Sequence, residues 1–106
     1  MNQNVVIKKA PAEQFYLDFD FGKKGVWQKW ERLKDIIIGA INMTMGGLDV
    51  TQDLLDSSKQ VNKRRLIRVW VRDGVIGTDN HVYCRVTGTK GTVWELRATI
   101  SVVEEK

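Results

Sequence analysis

From Lys63 to Val103 the chain alternates between large apolar side chains and other types, in runs broken by glycine turns. Ile67, Val69 and Val71 fall on one parity, with Arg68, Trp70 and Arg72 on the other. Val82, Cys84 and Val86 oppose His81, Tyr83 and Arg85, and Leu96, Ala98, Ile100 and Val102 oppose Glu95, Arg97, Thr99 and Ser101. A pleated strand sends successive side chains to opposite faces, so each run has one apolar and one wet side. Three such runs joined by short turns predict an antiparallel meander with one buried face.

The same periodicity extends upstream. Phe15, Leu17, Phe19 and Phe21 alternate with Tyr16, Asp18 and Asp20, which predicts another strand with its aromatic row inward. Ile36 to Met45 reads as a further strand ended by Gly46-Gly47. It carries apolar residues on both parities, as a doubly buried strand or one with a bulge at Gly39 would. Between these two, Val26, Trp30 and Leu33 stand at i, i+4 and i+7, the spacing of one face of a short helix that would cross between strands. Leu48 to Leu55 fits a short edge strand or a short helix, and Asp56 to Asn62 reads as a polar turn. Residues 1–12, mixed in character and closing on Ala10-Pro11-Ala12, read as a flexible N-terminal arm ahead of a single domain over 13–106. The sum is an all-β chain of five or six short strands, an antiparallel β-sandwich with a short helical crossing.

A chain of 106 residues supports one core without staples. Its lone cysteine, Cys84, lies on an apolar face and reads as a small buried thiol. The opening MNQNVVIKK lacks the apolar core of a leader, and Ile36–Ile38 is far too short to span a bilayer. The expected setting is therefore a cytoplasm, or a particle assembled there, with no membrane partner. The net charge of +4 is banded, basic over Lys23–Lys34 and again over Lys63–Arg72.

Catalytic chemistry finds little to work with. His81 and Cys84 are three apart on one strand and so point to opposite faces, which rules out a local nucleophile–base pair. Asp18 and Asp20 share a strand face and read as solvated surface rather than an acid/base dyad. Gly74-Val75-Ile76-Gly77-Thr78 lacks the lysine and following helix of a phosphate loop, and no cluster has zinc-ligand spacing. Asp73 and Asp79 leave a calcium loop as a minor alternative. The expectation is a non-enzymatic protein without cofactor or metal.

Its candidate binding residues are arginines interleaved with aromatics: Arg68, Trp70, Arg72, Tyr83, Arg85 and Arg97, with Trp27 and Trp30 as a second group. These types dominate protein–protein hot spots. They also stack bases and neutralise phosphates, so a small single-stranded nucleic-acid-binding protein is the alternative. Trp70 and Tyr83 could equally be core residues of a second sheet.

The order of segments narrows the choice. An isoleucine-rich strand (DIIIGAINMT) is followed by a Gly-Leu step (GGLDV) and a tryptophan strand (LIRVWV). Then come the turn DGVIGT, a strand ending in CRVT, the turn TGTKGT and a last strand closing in VVE. With the opening KKAPAEQFYLDFDF, this resembles the small immunoglobulin-like virion proteins of tailed bacteriophages, the fibre–tail adaptors and tail or head completion proteins, over most of Lys8 to Glu104. The resemblance implies an immunoglobulin-like sandwich and a structural role in the virion. Its partners would be tail, fibre or head proteins and copies of the chain itself, multiplied by repetition in a ring.

Overall fold

In the computed structural model, residues 5–22, 33–63 and 66–104 are described. They form strands β1 (Val5–Lys9), β2 (Phe15–Asp20), β3 (Leu33–Asn42) and β4 (Leu48–Asp49), the one-turn helix α1 (Thr51–Leu54), then β5 (Leu55–Lys63), β6 (Leu66–Val71), β7 (Thr78–Gly88) and β8 (Val93–Val102). One sheet runs β1-β8-β7-β3-β4 and the other β2-β6-β5. All pairs are antiparallel except β1 with β8, which is parallel. The two sheets pack face to face as a β-sandwich, as the alternating runs predict.

Between them lies one core. Leu17, Phe19 and Phe21 come from the β2 segment, Ile67, Val69 and Val71 from β6, Val82, Cys84 and Val86 from β7, and Leu96, Ala98, Ile100 and Val102 from β8, all buried. Burying a large aliphatic or aromatic side chain contributes about 1.5–3 kcal/mol, and here each inward row finds its partner row on the facing sheet.

Three features depart from the sequence reading. The expected three-stranded meander is split, because β6 lies in one sheet while β7 and β8 form a hairpin in the other. Alternation identifies a strand's apolar side but not its sheet, and two inward faces stacked on each other look identical to one shared face. Asp73 (φ 48°) and Gly74 (φ 105°) turn the chain across the gap. A Cβ on Gly74 would stand 2.7 Å from Val102 Cγ2, so the crossing passes close over the core.

Asp56 to Asn62 is a strand, not a turn. β5 matches Leu55 with Val71 and Asp56 with Trp70, then shifts so that Val61 faces Arg68. Ser57–Gln60 bulge out, held by Asp56 Oδ1, which accepts from Ser58 N (3.0 Å) and Ser58 Oγ (2.6 Å). An edge strand with one outward face has little need of apolar residues, and this one hides behind a turn-like composition.

Within the segment read as an arm, Val5–Lys9 forms β1 on β8. Its parity is inverted: Val6 is exposed and Lys9 buried. The Lys9 ammonium donates to the carbonyls of Ala10 (2.9 Å), Pro11 (3.0 Å) and Asp73, so its three protons are all taken. Burial pulls its pKa below the ordinary value, against the opposing pull of Asp73 and Glu13.

Of the expected helical crossing over Val26–Asp35, Leu33–Asp35 belong to β3 and the rest lies outside the described residues. The described helix is α1, which carries the chain from β4 in one sheet to β5 in the other. Leu48 to Leu55 thus contains both alternatives, a two-residue strand and a helical turn. The Asp49 carboxylate accepts from Thr51 N (2.9 Å) and Thr51 Oγ1 (2.7 Å), which fixes the joint between them.

Candidate functional site

The outward rows of β2 and β6 are set by the register that pairs Tyr16 with Trp70 and Asp18 with Arg68. The Tyr16 and Trp70 rings meet edge to face at 4.8 Å and 78°. Lys59, carried out by the β5 bulge, lies over the Trp70 ring at 4.3 Å, and Arg68 lies over Tyr16 at 4.8 Å. Trp70 Nε1 donates to Gln14 Oε1 (3.1 Å) and the Tyr16 hydroxyl to the Lys59 carbonyl (3.0 Å). Arg68 Nε donates to Asp18 Oδ1 at 2.8 Å, a half-exposed pair worth at most about 1 kcal/mol. Arg72 turns aside to the Gln52 carbonyl (2.6 Å), with Asp56 at 3.9 Å. The result is a flat patch of aromatic rings with cations laid over them.

Tyr83, Arg85 and Arg97 lie on the opposite side of the molecule, on the outer face of the five-stranded sheet. Register puts Tyr83 beside Gly39 and Arg97, and Arg85 beside Ile37 and Glu95. The Tyr83 ring lies over Gly39, where a Cβ would come within 2.6 Å of its Cζ. Gly39 is therefore a seat for a ring and not a bulge; the β3 irregularity falls between Leu33 and Asp35. Glu95 takes Arg85 (Nη2–Oε1 2.9 Å) and Arg97 (Nε–Oε2 2.5 Å) at once. Burial pushes the Glu95 carboxyl up, but hydrogen bonds from Arg97 and Arg85 and their charges outweigh it and hold the group below the ordinary range. Met43 (48% exposed) borders a shallow groove of about 350 Å³ shared with Ile41, His81, Tyr83 and the three charged residues, and Ile37 on the same face is 51% exposed.

The single arginine–aromatic surface expected from the sequence is thus two surfaces, back to back across the core. Trp27 and Trp30 lie outside the described residues. Sequence reasoning missed Tyr16, Lys59, Glu95 and Gly39. Tyr16 was within reach, since it shares Asp18's parity; Lys59 was not, because no pattern announces the bulge.

The groups weighed for catalysis are kept apart. Cys84 is buried and its thiol is pushed up to about 12 by burial and by the Glu95 charge, while His81 faces outward. Asp18 is bound to Arg68, and Asp20 accepts from Gly22 N (2.8 Å). Among the described residues no three of His, Cys, Asp or Glu sit together as metal ligands would, Asp73 and Asp79 included. No described helix is long and apolar enough to cross a membrane.

No family model matches this chain. No curated protein is significantly similar to it either.

Proposed function

We propose that this chain is an immunoglobulin-like, non-enzymatic adaptor of a bacteriophage virion, one that joins tail, fibre or head proteins. The observation that carries the reading is the pair of opposed faces. A module that bridges must hold two partners without steric conflict. Here the arginine–aromatic patch on β2 and β6 and the one on β7 and β8 are separated by the full thickness of the sandwich. Arginine, tyrosine and tryptophan on a rigid sheet are the residue types that make anchors at low entropic cost.

The strand order supports the immunoglobulin-like part. The β3-β7-β8 sheet facing β2-β6-β5 has the CFG and BED grouping of that sandwich, with β4 in the C′ place and β1 beside the last strand. A role in single-strand nucleic-acid binding is less well served, because Lys59 and Arg68 already cover the rings that bases would stack on.

The test is particle composition. The protein should be present in purified virions at a fixed copy number, and Trp70→Ala should lower its incorporation at least tenfold while leaving the chain folded. Virions that lack the protein overturn the reading. So does tight binding to single-stranded DNA that falls steeply with salt.

A further inference from the structure

We propose that the outer face of the five-stranded sheet binds the same face of a second copy, across a two-fold axis lying at right angles to the strands. The rungs of this face follow from the register. One rung runs Lys8, Ser101, Asp79, with Met43 drawn alongside by its N–H to the Asp79 carbonyl (2.9 Å). The next runs Val6, Thr99, His81, Ile41, Asp49. Then come Arg97, Tyr83, Gly39, and then Glu95, Arg85, Ile37.

A two-fold axis midway between the His81 and Tyr83 rungs turns this face onto itself. It sets Arg85 against Asp79 of the second copy and Ile37 against Met43. It also sets Ile41 against the Tyr83 ring that covers Gly39, and His81 against Tyr83. Glu95 meets Ser101, one strand from Lys8. Every contact occurs twice, as an isologous interface requires. An axis along β7 would instead set Arg85 against Arg85 and His81 against His81, so complementarity selects the transverse axis. Strands of the two copies then run nearly antiparallel, the aligned geometry of stacked sheets.

Four rungs, three to five strands wide at about 4.8 Å per strand, cover on the order of 1,000 Å² in total, the small end of specific interfaces. The pairing is accordingly weak for isolated copies and strengthened when copies are held together. The inference deepens the adaptor reading by giving one of its two faces a partner, and leaves the Trp70 patch free on both outer sides of the pair.

Sedimentation equilibrium up to roughly millimolar protein tests it, on the wild-type chain and on Arg85→Asp, Asp79→Arg and the double exchange. The wild type should approach twice its 12.2 kDa mass. Each single reversal should weaken pairing at least tenfold, the double exchange should recover most of it, and Ile37→Lys should weaken it without touching the charges. A monomeric wild type, a ring, or an exchange that fails to restore pairing overturns the proposal. None of these bears on particle composition, so the adaptor reading stands or falls separately.

Discussion

Glu95 shows how one side chain couples the charge of a surface to the stability beneath it. Its carboxylate is one-sixth exposed (16%) and braces two arginines on neighbouring strand positions. Because its folded pKa lies below the unfolded value of 4.5, the stability it contributes is complete above 4.5 and is lost as pH falls through the folded value. Asp49, held low by Thr51, and Asp56, held low by Ser58, act in the same sense. Thermal melts between about pH 3 and 6 should show a midpoint that is flat at the upper end and declines below 4.5, and Glu95→Gln should flatten part of that decline. A variant with an unchanged profile would show that the bridge adds nothing. At this scale the sequence was legible where parity decides: the inward placement of Cys84 and the outward placement of His81 follow from spacing alone. It was silent on Gly39, since a glycine seated under a ring and a glycine in a bulge are written with the same letter.

Among the elements, β1 is paired along its length with β8 and anchored at its end by one buried side chain. Lys9 ties its end to the β6–β7 crossing through the Asp73 carbonyl, while Val103 N reaches the Lys9 carbonyl at 2.8 Å. Lys9→Met keeps the aliphatic stem and strands three carbonyls, so it should cost about 2–4 kcal/mol by urea unfolding, with amide exchange rising first in β1. A loss under about 0.5 kcal/mol would mean that the ammonium is incidental. This element also marks the limit of pattern reading. The rows of β2, β6, β7 and β8 were legible because each turns a wholly apolar side to the core. β1 and β5 are edge strands whose outward or bulged residues answer to solvent, and their composition is that of loops. The exchange of sheets between β6 and β7 was hidden for another reason: alternation carries no information about which neighbour a strand takes.

For the whole molecule, the decisive property is that both arginine–aromatic faces stand on one rigid core. Of the candidate site, the residue types were legible and their division between two sides was not, because that division follows from the sheet exchange. If copies pair only when folded, mass action stabilises the fold, and the melting midpoint should rise with protein concentration. Added salt should shrink that rise by screening the Arg85–Asp79 contacts. A midpoint independent of concentration up to about millimolar would speak against pairing.

The four residues that bow outward in β5 have a consequence for molecules packed closely together. They interrupt the row of backbone donors and acceptors along that rim, so a neighbouring chain finds no continuous template on which to zip. Many copies can therefore crowd at one place, meeting through side chains on their broad surfaces, without fusing through this rim into fibrils.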